Sequence, residues 1–125
     1  MTVLIDSWTW IEYWRGGSYS EKAAEFIEGS HPAIASTINL AEIFFWVLRH
    51  YDEGKAEEKR DTLRKRCFLI PADEKIAVEA AKLKRSLKLS LADSLILATA
   101  RSRDAKVVTG DKDFRNLPEA HYIGH

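Results

Sequence analysis

Apolar positions along the chain follow two periods. Short runs rich in aliphatic and β-branched residues occupy positions 2–5, 33–35, 68–70 and 106–109, each stopped by a polar residue, glycine or proline. Runs of that length and composition predict strands, and Tyr122 with Ile123 predicts a fifth. Between them the spacing becomes helical. Helices are predicted over 7–14 and 20–28, separated by Gly16 and Gly17, and over a long segment from a Ser36 or Thr37 cap to about His50. A polar helix follows over 53–66, then one over 73–87 with Ile76, Ala80, Leu83 and Leu87 on one face, then one from Ser90 to about Arg103. Strands alternating with helices require crossover connections, hence an α/β fold with a parallel sheet covered on both faces. Strands buried on both faces read as continuous apolar runs, as these do. Ligands in such sheets gather beyond the carboxyl ends of the strands. Asp6, Ser36 and Thr109-Gly110-Asp111 stand at those ends.

Four carboxylates stand out. Asp6 directly follows the first strand, where capping of the next helix is a sufficient explanation. Asp111 follows the fourth, where a turn or cap before Lys112-Asp113-Phe114 explains it equally well. Glu42 is harder to dismiss, because its helical neighbours are Ile38, Asn39, Phe45 and Trp46. Any rotation of that helix partly desolvates it, and an unpaired buried carboxylate is costly. A salt bridge to Arg49 or an exposed helix edge is the alternative. Asp93 sits in a similar apolar segment, although Ser90-x-x-Asp93 matches a capping box and suits the helix dipole. Four carboxylates gathered in one cleft repel one another and need a cation. Hard oxygen ligands without histidine or thiolate select Mg²⁺, with Mn²⁺ as a substitute.

Composition narrows the classes. The 125 residues are 46% hydrophobic and 30% charged, which predicts one globular domain spanning 1–125 and excludes a disordered chain. The longest apolar-rich run, 38–48, is too short to cross a bilayer. No basic, cleavable leader is seen, so a cytoplasmic protein without membrane association is expected. The single cysteine, Cys67, allows neither a disulfide framework nor a cysteine-based zinc site, and reads as a buried strand residue. The four histidines lack ligand spacing, the 111–113 segment lacks the rest of a calcium loop, and no phosphate-cradling glycine motif occurs. Basic and acidic residues balance at 19 each, but setting the four carboxylates aside leaves 15 acids against 19 bases. A net basic remainder admits a phosphodiester substrate, with Lys82, Lys84, Arg85 and Lys88 available to the backbone. Trp8, Trp10, Tyr13 and Trp14 crowd the first helix on more sides than a core can use, which points to an interface.

Taken in order, Leu4-Ile5-Asp6-Ser7-Trp8, Ser36-Thr37-Ile38-Asn39-Leu40-Ala41-Glu42-Ile43, Leu91-Ala92-Asp93-Ser94-Leu95-Ile96 and Val108-Thr109-Gly110-Asp111-Lys112-Asp113-Phe114 resemble the PIN domain, in particular the VapC-type toxin ribonucleases. The resemblance implies a three-layer α/β/α sandwich. It also implies a metal-binding and catalytic quartet of Asp6, Glu42, Asp93 and Asp111, supported by Ser7, Thr109 and Asp113. The implied activity is Mg²⁺-dependent endonucleolytic hydrolysis of RNA. The implied partners are a cognate antitoxin protein and a second copy of the chain. Two other readings fit a parallel α/β fold: a phospho-acceptor module, which would require paired acids after the first strand, and a binding module without turnover.

Overall fold

The computed structural model describes residues 1–125. Five strands and six helices follow the alternation expected from the pattern. They are β1 (Val3–Ile5), α1 (Ser7–Arg15), α2 (Ser20–Ile27), β2 (Ala33–Ser36), α3 (Thr37–His50), α4 (Glu53–Arg66), β3 (Phe68–Ile70), α5 (Glu74–Leu87), α6 (Leu91–Ser102), β4 (Lys106–Thr109) and β5 (Ala120–Tyr122). A short 3₁₀ turn, Lys112–Phe114, lies between β4 and β5.

All strand pairs are parallel, in the order β3-β2-β1-β4-β5. The chain walks outward from β1 to β3, then returns to the other side of β1 for β4 and β5. The strand order therefore reverses between β1 and β4, and the carboxyl ends of these two strands frame the crevice expected to hold a ligand.

Period-2 alternation divides the sheet's side chains between two cores. Val3, Ile5, Ala33, Ala35 and Val108 pack with Trp10, Phe26, Ile43, Val47 and Leu63 from α1 to α4. Leu4, Ile34, Ile70 and Val107 pack on the opposite face with Ile76, Leu83, Ile96 and Leu97 from α5 and α6. The result is a PIN-like α/β/α sandwich, the fold class expected.

The helix boundaries have local causes. Gly16 ends α1 at φ 64°, in the left-handed region where glycine carries no Cβ penalty, and its N–H bonds back to the carbonyls of Glu12 and Tyr13. Ser36 opens α3 with a reciprocal box: its hydroxyl accepts from Ile38 N at 2.9 Å, and Asn39 Oδ1 accepts from Ser36 N at 2.9 Å. Ser90 opens α6 by accepting from Asp93 N at 3.1 Å.

Several expectations need correction. The fifth strand is Ala120–Tyr122, and Ile123 lies beyond it, buried in the first core. The third strand is an edge, so Phe68 is 72% exposed rather than covered on both sides. Cys67 is buried but ends α4 instead of lying in the strand. Trp10 is fully buried and packs on Trp14 at a centroid distance of 5.3 Å, so it holds the core together and offers nothing to a partner. Truncating it would cost about 3–5 kcal/mol. Of the apolar face on α3 expected to meet a partner, around Phe44, Phe45 and Val47, Val47 is buried, whereas Phe45 is 61% exposed.

Candidate active site

Asp6 leaves β1 at the crevice and precedes α1, yet its side chain makes no capping bond to that helix. Its two oxygens turn inward instead. Oδ2 accepts from Thr109 Oγ1 at 2.7 Å, and Oδ1 accepts from Asn39 Nδ2 at 3.1 Å. Thr109 Oγ1 in turn accepts from Asp111 N at 3.0 Å, so the ends of β1 and β4 are tied through one hydroxyl. The capping explanation thus fails for Asp6, and the carboxylate is held as part of a polar network.

Glu42 points toward the same network from α3. Its Oε1 accepts from Ser7 Oγ at 2.7 Å, and Ser7 Oγ accepts from Asn39 Nδ2 at 3.0 Å. The alternative salt bridge does not form, because the Arg49 guanidinium lies over the Phe45 ring, 5.9 Å from its centroid. Asp93 keeps half of its capping box: its backbone N–H is taken by Ser90. Asp111 does act as a cap, accepting from Asp113 N at 3.0 Å, with its second oxygen uncommitted.

Carboxylate oxygens of Asp93, Asp111 and Asp113 lie within 4.8 Å of one another. Asp113 therefore belongs to this close trio, whereas Asp6 and Glu42 stand outside it, held by their own hydrogen bonds and linked to it by charge. The charges act on one another across this arrangement. Burial pushes the Asp6 carboxyl up to about 7, against the lowering effect of the Thr109 hydrogen bond, and the Glu42 and Asp93 charges add to the rise. Asp93 is raised to about 6, first by burial and then by Asp111, against the lowering effect of Ser90 and with smaller contributions from Asp113 and Glu42. Glu42 is raised by burial and by Asp111, with Ser7 opposing.

No cation in the protein relieves this repulsion. The four ion pairs, Arg15–Glu12, Lys55–Glu58, Arg60–Asp61 and Arg101–Glu119, all leave these acids alone. An all-oxygen set of carboxylates with no internal counter-charge suits a hard divalent cation such as Mg²⁺ or Mn²⁺. Ser7 and Thr109, expected as supporting residues, each bond directly to an acid of the cluster.

Asn39 was not singled out from the sequence, yet it is fully buried and its amide bridges Asp6, Ser7 and the Ser36 backbone. The Ser36-x-x-Asn39 spacing was the available signal. Trp8 was also unanticipated at this place: a Cβ on Gly110 would come within 2.3 Å of its ring, so only glycine lets the indole lie against the end of β4. The basic residues Lys82, Lys84, Arg85 and Lys88 are all exposed on and just after α5. That helix leads through Ser90 into the segment carrying Asp93.

An acidic cluster at the switch point of a doubly wound parallel sheet defines the class: an α/β protein whose carboxylates could hold a metal ion. The sequence profile of the PIN domain matches residues 3–120. The chain belongs to the PIN domain family. Solved structures agree in fold. A toxin–antitoxin complex from Klebsiella pneumoniae superposes with a TM-score of 0.78 at 24% identity, covering 94% of each chain. VapBC2 from Rickettsia felis, bound to a DNA fragment from its promoter, gives 0.74 at 20% identity over 96% of each chain. VapC20 from Mycobacterium tuberculosis, described as a toxin cleaving the sarcin–ricin loop, gives 0.74 at 18% identity, covering 90% of this chain and 92% of that one. No curated protein matches the sequence. No helix is long and apolar enough to cross a membrane.

Proposed function

We propose that this protein is a Mg²⁺-dependent endoribonuclease and the toxin of a type II toxin–antitoxin pair. One observation carries the reading: the carboxylates of Asp6, Glu42, Asp93 and Asp111, beside the β1–β4 switch point, act on one another through their charges and form no ion pair with a protein cation. The solved structures of similar fold, several of them toxin–antitoxin complexes and one a sarcin–ricin-loop-cleaving toxin, support the same assignment.

In this reading Asp93, Asp111 and Asp113 would hold the ion on the open side, with Asp6 and Glu42 completing its surroundings. A bound divalent cation supplies a water of lowered pKa and neutralises charge on the non-bridging and leaving oxygens. The chain's own residues supply position. Thr109 and Asn39 fix the two oxygens of Asp6, and Ser7 fixes one of Glu42, so neither carboxylate needs to reorganise when a phosphodiester arrives. Asp111 is held by the 3₁₀ turn that it caps.

The partners follow from the same assignment. A groove of 480 Å³ on α3 and α4, lined by Leu40, Phe44, Phe45, Leu48 and Arg60, is the surface for a second copy or for the antitoxin. It includes Phe44 and Phe45 of the expected apolar face, whereas Val47 and Trp10 are buried and take no part. The test is incubation of a mixed RNA pool with the purified protein. Cleavage should occur with Mg²⁺, stop with EDTA, and be lost in Asp6→Asn at unchanged fold. Cleavage that Asp6→Asn retains in full would overturn the reading.

A further inference from the structure

A second cleft adjoins the acidic cluster. It measures 520 Å³ and shares Asp111 with the cluster, and its remaining walls include Trp8, Arg15, Tyr19, Gly110 and Lys112. Its chemistry differs from that of the acids. Trp8 and Tyr19 stand side by side, 6.2 Å between ring centroids, and both are only half-buried. The His125 imidazole, itself part of the cleft wall, stacks on the Tyr19 ring at 5.8 Å with planes 15° apart, so a ligand's flat face would take the place of this side chain. Trp8 is fixed from behind by the Gly110 backbone, which leaves it no room to turn away.

Trp8 packs in part against the first core, but Tyr19 belongs to neither core. The surrounding lining is largely polar and charged, so core packing does not explain the Tyr19 face in this wall. Charge is the second clue. Arg15 is neutralised by buried Glu12 at 2.7 Å, but Lys112 is exposed and forms no ion pair. An aromatic wall, one uncompensated cation and a carboxylate cluster next door match a ligand with a flat π-face and an adjoining anion. A nucleotide has both. In a duplex the base faces are occupied by their neighbours, so the ligand must be single-stranded or splayed.

We propose that this cleft is a base-binding subsite: Tyr19 and Trp8 hold one unstacked nucleobase of single-stranded RNA beside the scissile phosphate, and Lys112 holds the adjoining phosphate. The inference rests on the reading of the acidic cluster as an RNA-cleaving site and adds the positioning residues that seat the strand. Tyr19 and Trp8 touch no reacting atom in this account, so their removal should act on binding before turnover.

The test uses the full chain and labelled hexamers rA6 and rU6. In EDTA, where no cleavage occurs, fluorescence anisotropy reads affinity. Tyr19→Leu should weaken binding by roughly 5- to 150-fold, the range of one base–aromatic stack, and Tyr19→Phe should restore it. A hexamer lacking the one seated base should lose the same factor with wild type and lose nothing further with Tyr19→Leu. A general loosening of the fold would not produce that coupling. Lys112→Ala, which disturbs no packing, should weaken both hexamers alike and lower the salt slope by about 0.7. With Mg²⁺ present, Tyr19→Leu should raise KM and leave kcat within about twofold. If wild type cleaves RNA while Tyr19→Leu and Lys112→Ala leave affinity and KM within twofold, the subsite is overturned and the nuclease reading stands. If wild type cleaves nothing yet binds hexamers in a Tyr19-dependent way, the subsite stands and the nuclease reading falls. Failure of wild type to bind either hexamer, or preferential binding of a peptide in the cleft, overturns the subsite.

Discussion

Replacing Asp111 by Asn removes one charge from the cluster while leaving the local backbone in place. Asn Oδ1 can accept the Asp113 N–H that Asp111 accepts at 3.0 Å, and Asn caps as well as Asp. What changes is repulsion. The nearest oxygens of Asp93 and Asp111 lie within 4.8 Å. At that separation and an effective dielectric of about 20, a like-charge pair costs about 3 kcal/mol. Both groups are half-exposed, and water and salt reduce the figure to about 1 kcal/mol. For a chain of this length, about 1 kcal/mol moves the melting temperature by roughly 3–5 °C. Asp111→Asn should therefore melt several degrees above wild type in EDTA at pH 8. At pH 5 the gain should shrink, because Asp93, raised to about 6, is then protonated in the folded protein and no longer repels its neighbour. Saturating Mg²⁺ should reverse the order. An ion at a hundred times its Kd adds about 2.7 kcal/mol to wild type, and the variant, short of one ligand, should gain much less. Thermal melts of both proteins at the two pH values, with and without Mg²⁺, check this. An unchanged or lower melting point for the variant in EDTA at pH 8, or equal Mg²⁺ shifts in the two proteins, would refute the argument.

Further outcomes follow from the same geometry. Asp6 holds its proton more tightly folded than unfolded, so its contribution to stability is complete below about pH 4 and is lost as pH rises through about 7. Urea midpoints in EDTA should show wild type losing about 2 kcal/mol more than Asp6→Asn between pH 5 and pH 8. Glu42→Gln should lower kcat about a hundredfold or more, measured by single-turnover RNA cleavage, since ligation and charge neutralisation supply several kcal/mol. Asn39→Ala should cost about 1–3 kcal/mol in a denaturant titration, and weaken Mg²⁺ binding by roughly 10- to 100-fold in calorimetry, because Asp6 loses one of its two side-chain anchors. Phe45→Glu should leave the melting temperature within a few degrees and abolish association with a second copy or the antitoxin, read by light scattering, whereas Trp10→Ala should destabilise the monomer itself.

The alternation of elements was readable because a parallel sheet buried on both faces leaves unmistakable apolar runs such as Val3-Leu4-Ile5 and Val107-Val108. Asp6 and Asp111 were readable because strand ends in such a sheet converge. Glu42 was readable because a glutamate between Asn39 and Phe45 on a helix has no fully solvated direction. What was hidden depends on which helix face meets the sheet. Trp8, Trp10 and Trp14 ring α1, and only the docking of α2 and α3 decides that Trp10 goes inward while Trp8 leans on Gly110. Asn39 was hidden because its value comes from the adjacency of β1 and β2, which brings residues 33 apart in sequence within hydrogen-bond reach. The burial of Glu12 was equally hidden: it receives the Tyr19 N–H at 2.8 Å across the turn between α1 and α2, a contact no periodicity announces. Phe68 misled because an edge strand and a central strand share the same composition.

The central claim is that the carboxylates at the β1–β4 switch point cleave RNA through a bound divalent cation. End-group analysis of the products tests it most directly. A metal-directed water leaves a 5′-phosphate and a 3′-hydroxyl, and the account predicts these ends in Mg²⁺ or Mn²⁺, none in EDTA, and none with Asp6→Asn. A 2′,3′-cyclic phosphate formed at undiminished rate in EDTA would contradict it, because that product arises from attack by the RNA's own 2′-hydroxyl and needs no ion in the cluster.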